Sequence, residues 1–164
     1  MIRLCEAHEV TTIHAIINDA AVVYKGVIPD DRYHEPYMSL SELEQEMNDG
    51  VQFWGYTDDS GELFGVMGLQ DKGAVSLIRH AYVRSVARNG GIGGKLLHHL
   101  LTCTDKPILI GTWSDASWAI GFYEKHGFRV VSPQEKERLL RLYWNVPERQ
   151  IEESVVLANQ MQVI

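Results

Sequence analysis

The chain has 164 residues, a net charge of −7, 45% hydrophobic residues and 23% charged residues. That length fits one domain with a real core, and the acidic balance argues against non-specific binding to nucleic acid or an anionic membrane, which calls for a basic surface. Two cysteines, Cys5 and Cys103, are too few for a disulfide framework. No apolar run nears the roughly 20 residues that span a bilayer, and residues 1–6 lack the apolar stretch of a signal peptide. The expectation is a cytoplasmic protein.

A short strand is expected over 2–5. Val10, Ile13, Ile17, Ala20 and Tyr24 recur at helical spacing and predict a helix ending near Gly26. A polar stretch rich in aromatic residues, 27–38, follows. Ser39 and Glu42 then form a capping-box pattern that opens a second helix, stopped at Gly50. Residues 51–57, 63–70 and 75–83 read as an antiparallel meander separated by turn residues. The period changes at Ile92, Leu96, Leu97, Leu100 and Leu101, which mark a helix. Residues 107–113 are apolar enough for a buried strand. Ala119, Phe122, Tyr123 and His126 share a helical face that ends at Gly127, and 128–131 is a strand. Ser132, Pro133 and Glu135 start another helix, and 151–157 is a last strand. A meander followed by helical crossovers implies an α+β fold, a mixed sheet covered by helices. The expected organisation is one domain over 1–158 and a tail over 159–164.

The chemistry starts at the junction of a strand and a helix, Val83-Arg84-Ser85-Val86-Ala87-Arg88-Asn89-Gly90-Gly91-Ile92-Gly93-Gly94-Lys95. Glycine admits a positive φ and close approach of a ligand. The first N–H groups of a helix lack internal partners and sit at the positive end of its dipole. Such a turn is an anion cradle suited to phosphate. A Walker pattern fails, because Asn89 stands where a glycine is needed and Leu96 where Ser or Thr is needed. A dinucleotide fingerprint fails at Leu96, and the turn follows a meander rather than opening a βαβ unit. The bland alternative is a tight turn and nothing more.

The spacing that fits is Arg88-x-x-Gly91-x-Gly93. It resembles the pyrophosphate motif of the GCN5-related N-acetyltransferases, Gln/Arg-x-x-Gly-x-Gly/Ala, although Ser85 replaces a common proline. A second stretch, Ala119-Ile120-Gly121-Phe122-Tyr123-Glu124-Lys125-His126-Gly127-Phe128, resembles that family's other signature, with Ala116 in place of its usual asparagine. The resemblance implies a central, mostly antiparallel twisted sheet of about seven strands flanked by helices. It implies acetyl transfer from acetyl-CoA, as cosubstrate and without a metal, to an amine in a ternary complex. A non-catalytic acyl-CoA-binding domain on the same fold is the alternative. Arg88, Asn89, Gly90, Gly91, Gly93, Gly94 and Lys95 are the implied pyrophosphate site. The backbone at Tyr82 and Val83 is the implied contact for the thioester carbonyl and pantetheine arm. Tyr123 is implied as the acid that protonates the leaving thiolate. A phenol, with a pKa near 10, stays protonated and can donate at neutral pH; the competing role is packing on an apolar face.

Some relatives carry a glutamate base on the third meander strand, but 75–83 has no carboxylate. His80 is the candidate, as base or substrate-positioning group, because imidazole titrates near pH 6.5. A histidine satisfied within the sheet and a draining water chain stay open. His98 and His99 are expected at the helix surface, and His34-Glu35 lacks a second histidine at zinc spacing. For the acceptor, Tyr24, Tyr33 and Trp54 are candidates, with the carboxylates Asp30, Asp31 and Glu35 nearby in sequence. Aromatic faces and carboxylates hold an ammonium well; a solvated loop with core-packing aromatics is the alternative. The acceptor stays unnamed, and a homodimer through 151–164 stays open.

Overall fold

The structure is a computed structural model that describes residues 1–87 and 90–160. Its elements are β1 (Ile2–Leu4), α1 (Val10–Ala20), α2 (Leu40–Asn48), β2 (Gln52–Thr57), β3 (Leu63–Asp71), β4 (Ser76–Val83), α3 (Ile92–Thr102), β5 (Ile108–Trp113), α4 (Ser117–Lys125), β6 (Arg129–Val130), α5 (Pro133–Tyr143), α6 (Glu148–Glu152) and β7 (Ser154–Ala158). Short 3₁₀ turns lie at Ala7–Glu9, Ala21–Tyr24 and Ser85–Ala87. Seven strands form a mixed sheet in the order β1-β2-β3-β4-β5-β7-β6. The chain divides into two compact units, one of residues 1–71 and 78–105, the other of 72–77 and 106–164.

In the first unit, β1, β2 and β3 pair antiparallel, with Leu4 opposite Trp54 and Trp54 opposite Met67. Side chains alternate across a strand, so neighbours in sequence serve opposite layers. Phe53 and Val66 enter a core with Ile13, Ile16, Ile17, Met38 and Leu43, the layer of α1 and α2. Gly65 turns to α3 on the other face. A Cβ there would meet Ile92 Cγ2 at 2.8 Å and Leu96 Cδ1 at 3.3 Å. The missing side chain is what lets α3 lie against the sheet.

Two expected start signals act as such. Ser39 Oγ accepts from the Glu42 N–H at 3.1 Å, and Ser132 Oγ accepts from the Glu135 N–H at 3.2 Å. At the N-terminus, Arg3 grips Glu9 through two parallel bonds of 2.7 and 2.8 Å, and the Glu6 N–H adds a third donor at 2.9 Å. The Arg3 bond is the main reason the Glu9 pKa falls to about 2.

The second unit packs α5, α6 and β7 around Leu109, Leu139, Leu140, Ile151 and Val156. Ile151, expected to open the last strand, instead lies in α6, which opens after Pro147, and the strand begins at Ser154. An apolar residue next to a strand-like run carries the same local signal in either setting. Among the described residues, no helix is long and apolar enough to cross a membrane.

Two measurements test this architecture. Gly65→Ala should destabilise the protein by about 1–3 kcal/mol in chemical denaturation, because the new methyl overpacks α3 against β3. Glu9 has a folded pKa below its unfolded value, so its contribution is complete above about pH 4.5 and fades toward pH 2. Glu9→Gln should therefore cost stability at pH 7, about 1 kcal/mol, and the difference from the parent should close as the pH falls through that window.

Candidate active site

The glycine turn shows why that composition is needed. Gly91 is the N-cap of α3 at φ 77°, in the left-handed region, and a Cβ built on it would meet nothing within 4 Å. The Lys95 N–H closes the first helical bond to the Gly91 carbonyl at 3.1 Å. The N–H groups of Ile92, Gly93 and Gly94 precede it and have no partner within the helix. Open space, a left-handed cap and first-turn donors suit an anionic group such as a pyrophosphate. Gly90 is exposed, Gly93 and Gly94 are half-buried, and Lys95 Nζ stands 5.6 Å from the Tyr56 ring centre. Arg88 and Asn89 lie outside the described residues. Just upstream, Asp19 from α1 accepts from the Ser85 N–H at 2.8 Å and from its hydroxyl at 3.2 Å. The N–H that a proline would lack here is used.

Strand β4 carries the second feature. His80 has φ 55°, a left-handed conformation that is uncommon outside glycine. Its Nε2 meets Glu46 Oε1 of α2 at 2.7 Å, and Arg79 reaches the same oxygen at 3.2 Å. The imidazole stacks on Phe53, ring centres 6.2 Å apart. Arg79 also donates to Gln70 Oε1 at 3.3 Å, and Gln70 Nε2 donates to the Asp49 carbonyl at 3.1 Å. Burial raises the Glu46 pKa, but the His80 bond and the charges of His80 and Arg79 outweigh it and hold the carboxyl below its ordinary value. Among the described residues, the buried side-chain atoms that lack a partner are His14 Nε2, Arg32 Nε and His99 Nε2. His80 Nδ1 is not one of them and makes no hydrogen bond to a described residue. It is open, on a ring whose side chain keeps 17% of its surface.

Two residues beyond His80, Tyr82 packs against the α1 and α2 layer. Its ring meets Tyr24 edge-on at 6.4 Å, Tyr24 meets Tyr37 at 5.3 Å, and Tyr37 stacks on Tyr33 at 6.2 Å. Of the three acceptor candidates, Tyr24 and Tyr33 are thus brought into one run with β4. Trp54 is not. It faces α3, with its ring 4.4 Å from His99, on the sheet face opposite Phe53. His99 was expected at the helix surface, but its Nε2 is buried against this layer. Val83 lines the α3 face, its Cγ2 3.4 Å from where a Gly65 Cβ would lie.

Glu46 and Arg79 join this arrangement although the sequence does not mark them as site residues, and Tyr37 joins it from the aromatic stretch expected to shape the acceptor pocket. Glu46 did carry a faint signal. It falls three residues after the buried Leu43, and α2 has no Lys or Arg to pair with it.

Tyr123 belongs to the second unit and is set by local chemistry. Gly127, at φ 93°, ends α4. The Phe128 N–H returns to the Tyr123 carbonyl at 3.1 Å, and the Gly127 N–H to that of Glu124 at 3.2 Å. This is a Schellman ending, in which the residue after the glycine closes on the residue that begins the last turn. Phe128 does so, its ring edge-on to Tyr123 at 6.0 Å, and Tyr123 is buried. Among the described residues, no group of three or more His, Cys, Asp or Glu side chains is placed to hold a metal.

A model of the acetyltransferase (GNAT) domain matches residues 17–143. Comparison with curated proteins gives no match. Solved structures match in fold. An acetyltransferase of the GNAT family from Staphylococcus aureus Mu50 is 21% identical, with TM-score 0.68, covering 98% of this chain and 99% of that one. The PaiA N-acetyltransferase of Thermoplasma acidophilum, solved with coenzyme A, is 17% identical, with TM-score 0.71 and 98% of each chain covered. The ribosomal-protein-S18-alanine N-acetyltransferase of Escherichia coli is 14% identical, with TM-score 0.68, covering 96% and 91%. The family match runs from within α1 to the end of α5, taking in both the glycine turn and the Tyr123 signature, and on that extent the chain belongs to the GCN5-related N-acetyltransferase (GNAT) family.

Proposed function

We propose that this protein transfers the acetyl group of acetyl-CoA to an amine by direct attack in a ternary complex, with His80 as the proton acceptor. The observation that carries the reading is on β4. Within four residues, 80–83, that strand holds an imidazole with an unbonded nitrogen and the backbone groups that the family resemblance assigns to the thioester. The glycine turn follows directly.

Acetyl-CoA supplies an activated acyl group on a thiol leaving group. The residues able to hold its pyrophosphate are Gly90, Gly91, Gly93 and Gly94, with Arg88, Asn89 and Lys95 assigned by the motif. The fit rests on the left-handed cap at Gly91 and the open space where a side chain on it would lie. That the Thermoplasma protein of this fold was solved with coenzyme A supports the same ligand.

An alkylamine has a pKa near 10 and must lose a proton to attack. The amine nitrogen bonds to the acetyl carbon as the carbon–sulfur bond breaks. His80 Nδ1 takes the proton that the nitrogen sheds, and the Tyr123 hydroxyl gives a proton to the departing thiolate. A backbone N–H at Tyr82 or Val83 stabilises the carbonyl oxygen as it gains charge. The Tyr123 role stands on the motif. The run of Tyr33, Tyr37, Tyr24 and Tyr82 gathers aromatic rings of the kind that attract a cationic acceptor.

The test is thiol release from acetyl-CoA across a panel of amines, alongside thermal stabilisation by acetyl-CoA. Turnover on at least one amine is expected; stabilisation without turnover on any would instead support a binding module. On the best amine, His80→Gln should lower kcat/KM by about 100-fold near neutral pH. Tyr123→Phe should lower kcat far more than it weakens acetyl-CoA binding, and equal effects would leave it a packing residue. Gly91→Val places a β-branched residue at positive φ and fills the cradle. It should abolish stabilisation by coenzyme A while the protein still folds, and an unchanged affinity would remove the pyrophosphate assignment.

A further inference from the structure

Glu46 and Arg79 hold His80 in an arrangement that a satisfied structural histidine does not need. One carboxylate oxygen, Glu46 Oε1, serves both the imidazole and the guanidinium. All three side chains are largely shielded, with 17–23% of their surface exposed. With His80 neutral, the cluster is balanced, one guanidinium against one carboxylate. Glu46 is held ionised, so it can only accept, and the hydrogen between it and His80 must therefore sit on Nε2. The lone pair then falls on Nδ1, the nitrogen with no partner among the described residues.

We infer that Glu46 is the positioning residue for His80: it fixes the tautomer that presents Nδ1 as proton acceptor and stabilises the imidazolium formed when a proton arrives. Arg79 is the counterweight. Its guanidinium shares the oxygen that binds the imidazole and so lies within about 6 Å of the ring nitrogen, where like charges disfavour protonation. Glu46 alone would pull the imidazole toward its charged state and disable it as a base. With Arg79 occupying the same oxygen, that pull is reduced. The logic is that of a histidine oriented by a buried carboxylate on its far nitrogen, here supplied from α2 rather than from the strand. This inference rests on His80 being the base.

Among the described residues, the charged groups that face the imidazole are Glu46 from α2 and Arg79 from β4 itself; Phe53, stacked on it from β2, carries none. The sign of each removal follows. Loss of the Glu46 charge makes imidazolium less favourable, so the neutral base survives to lower pH. Loss of the Arg79 charge does the reverse.

The experiment measures kcat/KM against pH for the full chain, with saturating acetyl-CoA and one amine from the panel, so that the amine's own titration is common to every variant. Glu46→Gln should move the acidic limb down by about one pH unit, and Arg79→Gln should move it up by about half a unit. His80→Gln should remove the limb. Circular dichroism and thermal melts establish that each variant is folded, and the double variant Glu46→Gln/Arg79→Gln keeps the test open if one single variant is not. Its limb should return toward the parental position. Limbs that move in the same direction, or do not move, would overturn the positioning role while leaving His80 as base. A limb that survives His80→Gln would overturn the base assignment itself and the inference with it.

Discussion

A single carboxylate oxygen, Glu46 Oε1, organises the strand that carries the proposed chemistry. In a regular strand, residues 79 and 80 project to opposite faces. Here both side chains end on that one oxygen, and the backbone between them takes φ 55° at His80. A non-glycine residue in that region costs about 1–3 kcal/mol. The short bond to Glu46 and the stack on Phe53 offset that cost, and both are made by His80 in this conformation. Past the kink, Tyr82 joins the α1 and α2 layer and Val83 lines α3.

The other face of the sheet depends on the absence of atoms. Gly65 removes a side chain where Ile92 and Leu96 press in, and so fixes how closely the first turn of α3 approaches β3. Gly91 removes one where a ligand is proposed to lie, and its positive φ turns the chain into that helix. The two glycines do different work. At Gly65, φ is ordinary and the constraint is steric; at Gly91 there is room for a side chain and the constraint is conformational. Only the second was legible in the sequence, because it belongs to a local strand–turn–helix pattern, whereas Gly65 answers to residues about 30 positions away.

The same division explains the rest. The caps at Ser39 and Ser132 span three residues, and the Schellman ending that fixes Tyr123 spans five, so all were written in local order. Family and fold were legible for the same reason, since both signatures are contiguous. Glu46 and His80 are 34 residues apart and meet only through tertiary packing. Nothing in the sequence around a histidine announces a left-handed φ. Trp54 and His99 show the converse. A tryptophan on a strand and a histidine on a helix were each read alone, and their contact gives both a packing role that neither suggests by itself.

Two of the departures from the family pattern meet an acid from the α1 and α2 layer. Where a proline is common, Ser85 keeps its N–H, and Asp19 from α1 accepts both that N–H and the hydroxyl, bracing the approach to the glycine turn. Where some relatives carry a glutamate on the strand, this strand carries a histidine, and the carboxylate comes from α2. In both cases a helix of the α1 and α2 layer supplies an acid to the strand side through a tertiary contact. The third departure has no such partner. Ala116 is fully buried at the N-cap of α4 and makes no side-chain cap. A methyl there cannot replace an amide's hydrogen bonds. The start of the helix carrying Tyr123 is held by backbone bonds, Ala116 N–H to the Trp113 carbonyl and Ala119 N–H to the Ala116 carbonyl at 3.0 Å each, and its end by Gly127 and Phe128.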